Sequence, residues 1–242
     1  MLGSQDSLRR FIHKVVMSKQ FLPMRNCMVK AYYRLVFGRR LPYVNPINRL
    51  VRAFELCRGA GDIPASSVIW ESQYRNGYWD FLTGVEEVPH YSVLAGYMRF
   101  LKPGGSVLDV GCGEGILQAR IGSEAYSRYV GIDCSKAAIS IACKNADRKT
   151  LFLAIDAACY VPAEAFDVIV FNEVLYYFDD PLTVFDRYTR ALRGNGVLLT
   201  SLFMTERSSA ILRRLKYLYP LIDEVSLRNQ NTKTWVCSIF HA

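Results

Sequence analysis

Apolar residues at 93, 94, 97, 98 and 101 recur at three- and four-residue spacing, which predicts a helix that KPGG (102–105) ends. Short apolar runs then alternate with helical stretches. SVLDV (106–110), YVGID (129–133), LFLAID (151–156), DVIVFN (167–172) and GVLLTSLF (196–203) have strand length and strand composition. Helices are predicted near 115–121 and 135–145. A third is predicted over 181–193, with Asp180 as cap, Pro181 in its first turn and Gly194 just beyond its end. Strands alternating with helices imply right-handed βαβ units, hence an α/β fold of doubly wound type: a mostly parallel sheet with helices on both faces. EVSLRN and KTWVCSIF flank a turn around Asn229 to Asn231 and predict a closing antiparallel hairpin.

The first quarter of the chain follows another pattern. Ser7 can cap an amphipathic helix over 7–19, with Leu8, Phe11, Ile12, Val15 and Val16 on one face and Arg9, Arg10, His13 and Lys14 on the other. Residues 20–50 are aromatic and basic, broken by Pro23, Gly38, Pro42 and Pro46, and GAGDIP (59–64) reads as a hinge. This predicts a basic helical N-terminal appendage, 1–60, ahead of a main domain, 61–242.

Charge sharpens that division. Residues 1–58 hold twelve Lys or Arg against Asp6 and Glu55, whereas the rest of the chain holds eighteen basic and twenty acidic residues. A basic appendage on a neutral domain suits an anionic contact, such as nucleic acid or a membrane surface touched through 7–19, or is a solvated face. With 51% hydrophobic residues the chain can bury a sizeable core. Charge-free stretches such as 194–205 are too short to span a bilayer, and the start lacks a basic leader followed by a long apolar run. The seven cysteines are scattered without a CxxC pair, which argues for free thiols in a reducing compartment and against a zinc site. A cytoplasmic protein without a metal site is expected.

Candidate chemistry concentrates in LDVGCGEGIL (108–117). Asp109 closes a strand, and Gly111, Gly113 and Gly115 follow at alternate positions before a helix. Glycines there let the backbone turn sharply and approach a ligand, and the helix start offers unpaired N–H groups. The dinucleotide pattern G-x-G-x-x-G fails, because Ile116 stands at its third glycine.

With these residues the chain, from about Trp70 to Phe240, resembles the class I S-adenosylmethionine-dependent methyltransferases. The resemblance implies a Rossmann-like seven-stranded sheet and S-adenosylmethionine as cofactor. It implies that DVGCGEG (109–115) wraps the methionine portion, with Asp109 ordering the loop and the amino group. Asp133, closing the second strand, would accept the ribose hydroxyls, with Cys134 beside it. Asp156 and Ala157 would meet the adenine, and Asn172 would stand at the carboxyl end of the fourth strand, the ligand end of open α/β sheets. Neither Cys112 nor Cys134 is read as a nucleophile. The segment WESQYRNGYWDFL (70–82) is similar to the lids of small-molecule methyltransferases, and Tyr74, Tyr78 and Trp79 there can stack near the sulfonium.

The methyl group of the sulfonium is already activated, so the protein has mainly to align the acceptor and exclude water. Glu173 is the expected acid/base or amine-orienting group, with Tyr176 and Tyr177 as pocket walls or hydroxyl donors. His90 is the histidine placed to reach the cofactor end. The expected function is methyl transfer to nitrogen or oxygen of a small molecule, a sugar or a biosynthetic intermediate. The alternatives are an RNA methyltransferase that uses the basic segment and a non-catalytic scaffold that binds the cofactor.

Overall fold

The computed structural model describes residues 67–241. The helix expected at 7–19, the appendage 1–60 and the hinge at 59–64 lie outside the described residues. Seven strands form one sheet: β1 (Ser106–Val110), β2 (Arg128–Asp133), β3 (Thr150–Ala154), β4 (Phe166–Asn172), β5 (Leu192–Phe203), β6 (Leu221–Arg228) and β7 (Thr234–Phe240), in the order β3-β2-β1-β4-β5-β7-β6. The pairs from β3 through β5 are parallel, and β7 runs antiparallel between β5 and β6. The hairpin therefore inserts its second strand into the sheet and leaves its first at the edge. Asn229 builds the connecting turn, its Oδ1 accepting from the N–H groups of Asn231 and Lys233.

Among the described residues six α-helices flank the sheet: α1 (Ser67–Arg75), α2 (Val88–Leu101), α3 (Ile116–Ile121), α4 (Lys136–Ala142), α5 (Pro181–Thr189) and α6 (Glu206–Leu218). Alternation along β1 divides the core. Val107 faces a layer built from Leu94 and Met98 of α2, Leu117 and Ile121 of α3, and Ile139 of α4. Leu108 and Val110 face Phe185 and Tyr188 of α5 and Ile211, Leu212 and Leu215 of α6. No described helix is long and apolar enough to cross a membrane.

Several expected boundaries shift. The helix at 181 starts where expected, with Thr183 N–H donating to the Asp180 cap at 3.2 Å, but it ends at Thr189 rather than 193, because Leu192 already pairs with Phe166. β3 stops at Ala154, so Asp156 lies in the turn after it. Helix α6 has no counterpart in the strand–helix alternation read from sequence. It fills the connection from β5 to β6, capped by Thr205, and buries its Ile211, Leu212, Leu215 stripe.

One glycine of β2 sets how tightly the functional end packs. Gly131 lies opposite Asp109 in register, and a Cβ there would stand 2.5 Å from Phe152 Cδ1 and 2.9 Å from Cys112 Sγ. Gly131→Ala is expected to lower stability by about 1–3 kcal/mol through overpacking. Urea unfolding checks this, and the double variant with Phe152→Leu should lose less than the two single losses added, because the smaller side chain yields the space.

Candidate active site

The carboxyl ends of β1 and β2 are joined by a single side chain. Asp133 closes β2, and its Oδ2 accepts from Gly113 N–H at 3.0 Å while its Oδ1 accepts from Ser135 N–H at 2.8 Å. Burial raises its carboxyl above the usual range, and the two backbone donors oppose that rise. Gly111 and Gly113 adopt φ of 75° and 53°, a region that L side chains rarely enter. Space confirms the need: a Cβ on Gly111 would meet Val174 Cγ2 at 2.4 Å, and one on Gly113 would meet Tyr74 Oη at 2.8 Å. Gly115 caps α3 in the left-handed conformation, so the first N–H groups of α3 have no acceptor within the helix.

Asp109 sits beneath this loop with 1% of its surface exposed. Its Oδ2 accepts from Tyr129 Oη at 2.6 Å, and its Oδ1 is buried with no hydrogen-bond partner. Burial pushes its carboxyl up to about 7 against the opposing Tyr129 bond, with the Asp133 charge adding to the rise. The side chain of Cys112 packs into the core. Burial raises its thiol and carries that of Cys134 to about 12, so neither is a thiolate at neutral pH. Asp156 is exposed after β3, with Oδ1 accepting from Ala158 N–H at 2.8 Å, beside the buried Ala157.

The 70–82 segment lies over the loop. It comprises most of α1 and a short 3-10 turn beginning at Asp80. Tyr74 reaches Gly113, and burial raises its phenol well above the usual value. Trp79 stacks on Trp70 at 5.6 Å and lies 6.1 Å from the Tyr74 ring and 6.4 Å from that of Tyr78. Its indole nitrogen is buried without a partner. Trp70 meets Tyr177 edge-on at 4.6 Å, tying the segment to the turn after β4.

At the end of β4 a second polar group assembles. Glu173 holds φ of 55°, a strained conformation for a residue with a side chain. Its Oε1 accepts from Ser201 Oγ at 2.8 Å, and its Oε2 from Tyr176 Oη at 2.8 Å and Phe203 N–H at 2.9 Å. Burial raises its carboxyl all the same. His90 is fully buried, with Nε2 3.2 Å from Glu87 Oε2 and Nδ1 3.2 Å from Asn172 Oδ1. Both ring nitrogens are thus engaged, and the ring stacks on Trp235 at 5.6 Å. Asn172 also hydrogen-bonds the Tyr91 phenol.

The methyltransferase domain family matches residues 86–238, well over half of the chain. The protein belongs to that family. The ubiquinone biosynthesis O-methyltransferase of Actinobacillus pleuropneumoniae serotype 7 (strain AP76) is 35% identical over 109 residues, 40% of this chain and 45% of that protein. The ribosomal protein L11 methyltransferase of Staphylococcus saprophyticus is 28% identical over 147 residues, 58% of this chain and 44% of that protein. The chain spans less than half the length of these curated relatives. The N-methyltransferase NodS from Bradyrhizobium japonicum WM9, solved with S-adenosyl-L-homocysteine, superposes with a TM-score of 0.59 at 21% identity, covering 67% of this chain and 90% of NodS. At that identity the likeness establishes the fold, which is that of the class I S-adenosylmethionine-dependent methyltransferases.

The residues present fit the cofactor of this methyltransferase family. A buried carboxylate oxygen without a donor, Asp109 Oδ1, suits a cationic amino group, and the glycines leave no side chain between the loop backbone and Val174, Tyr74 and Phe152. The loop and both acids singled out in the sequence lie together at the carboxyl ends of β1 and β2. Glu71, Tyr91 and Tyr129 were not singled out, because each meets its partner across the fold, and Glu87 was not, although it stands three residues before His90.

A pH dependence follows from Asp109. A carboxyl raised from 3.8 to about 7 on folding makes the native state bind more protons than the unfolded state. The stability it contributes is therefore present below pH 4 and is lost as pH rises through 7, by about 4 kcal/mol. Urea unfolding of Asp109→Asn between pH 5 and 8 is expected to lack this decline, whereas the unsubstituted protein shows it.

Proposed function

We propose that the protein transfers a methyl group from S-adenosylmethionine to a nitrogen or oxygen of a small molecule, such as a sugar or another biosynthetic intermediate. The observation that carries this reading is the aromatic segment seated on the glycine loop, with Tyr74 over Gly113 and Trp79 behind it. Such a cover encloses the cofactor end and excludes water, as methyl transfer to a small acceptor requires. The ubiquinone O-methyltransferase and NodS N-methyltransferase relatives support it.

The cofactor, when bound, supplies a methyl group activated by a positive sulfonium. Asp133 retains acceptor capacity beyond its two backbone bonds and its bond with the Cys134 side chain, which suits ribose hydroxyls. Asp109 Oδ1 would take the amino group, the 109–115 loop would wrap the methionine portion, and Cys134 would contribute its backbone position beside Asp133. Asp156 and Ala157 would border the adenine. Tyr74, Tyr78 and Trp79 would offer π faces to the sulfonium, and Asn172 would close the β4 side.

Glu173 and Tyr176 act at the acceptor end. Their bond to each other and to β5 fixes a carboxylate that orients an acceptor proton rather than swinging freely. With both nitrogens engaged, His90 acts through Asn172 and not by touching the acceptor.

Calorimetric titration with S-adenosylhomocysteine tests the site. Asp133→Asn is expected to weaken binding about 10- to 100-fold, the loss of charge from a doubly used hydrogen-bond acceptor. Saturable binding that Asp133→Asn leaves unchanged would remove Asp133 from the cofactor site. No binding by folded protein would overturn the reading.

A further inference from the structure

The lid segment is fastened to the domain by a carboxylate that plays no part in the chemistry. Glu71 projects from α1, and its Oε2 accepts from Ser135 Oγ at 2.9 Å and from Ala137 N–H at 3.0 Å. Its other oxygen accepts from Arg75 Nε at 2.9 Å on the solvent side. The bond to the Ala137 N–H holds the Glu71 carboxyl below the usual range, with the Ser135 and Arg75 bonds adding to it against partial burial. These bonds join residues 64 and 66 positions apart in sequence. They place the Tyr74 phenol, on the same short helix, over Gly113.

The point of attachment is the turn that holds the cofactor loop. Ser135 N–H donates to Asp133 Oδ1, and Asp133 Oδ2 takes the Gly113 N–H. The Ser135 hydroxyl also accepts from Ala138 N–H at 3.2 Å while donating to Glu71. A continuous chain of hydrogen bonds therefore runs from the glycine loop through Asp133 and Ser135 to the lid. Tyr74 stands over Gly113, so movement of α1, which the Glu71 bonds restrain, uncovers that part of the loop.

We infer that Glu71 is a latch: it holds the aromatic lid shut over the glycine loop, and its release gates entry and exit of the adenosyl cofactor. This rests on the reading that the loop binds that cofactor. Glu71 is a positioning residue, since it touches Ser135 and Ala137 and not the ligand. It controls how fast the site opens more than which ligand fits.

The test is stopped-flow tryptophan fluorescence of the full-length protein with S-adenosylhomocysteine, because Trp70 and Trp79 both lie in the moving segment. Glu71→Ala is expected to speed dissociation about tenfold and to speed association as well. Glu71→Gln, which keeps an acceptor of the same shape, should fall between it and the unsubstituted protein. Arg75→Ala leaves the Ser135 and Ala137 bonds intact and should release the ligand at the unsubstituted rate. Thermal melts confirm that each variant is folded. Dissociation from Glu71→Ala at the unsubstituted rate would overturn the latch. Acceleration by Arg75→Ala as large as that by Glu71→Ala would also overturn it, since helix stability would then set the rate. Failure of the unsubstituted protein to bind S-adenosylhomocysteine would instead remove the cofactor reading on which the latch depends.

Discussion

The Asp133 carboxylate, held between the N–H of Gly113 and the N–H of Ser135, is the contact on which the rest of the site depends. Removing a charge from water costs several kcal/mol unless its lone pairs find donors. Two backbone N–H groups meet part of that cost, and in return they fix two turns. One is the left-handed run through Gly111, Gly113 and Gly115, which opens the way to α3. The other starts α4 at Ser135. The 70–82 segment reaches the second turn through Glu71 and stands over the first through Tyr74. Loop, second strand and this segment are thus arranged around one anion.

The opposite wall depends on a different constraint. β4 ends at Asn172, and Glu173 turns away in a strained conformation that Ser201, Phe203 and Tyr176 hold in place. Strain of this kind persists only where neighbours over-determine it. Behind it, Glu87 and Asn172 hold the two nitrogens of a fully buried His90. A histidine held on both sides orders its neighbours, Glu87 on its own helix and Asn172 at the end of β4.

The parallel sheet was legible because βαβ units write themselves locally: a strand of apolar residues, a turn, a helix stripe. The glycine loop was legible because its chemistry is contiguous, with Asp109 and three glycines inside seven residues. Helix α6 was not, since ERSSAILRRLKYL places three buried apolar residues among charges. Glu71 could not be read for a stronger reason. Its local features, an i,i+4 partner in Arg75 and a place in an aromatic segment, describe an ordinary exposed helix. Its bond to Ser135 exists only after the chain has folded. The end of the helix at 189 also escaped, because pairing of Leu192 with Phe166 overrides a helical pattern that continues to Gly194.

Hydrogen exchange of the full-length protein, with and without S-adenosylhomocysteine, tests most directly whether one anion organises the site. Amides in 111–117, 133–137 and 70–82 are expected to gain protection together on binding, while those of the β6–β7 turn at 229–233 do not change. Binding that protects other segments and leaves 111–117 and 133–137 unaltered would contradict it.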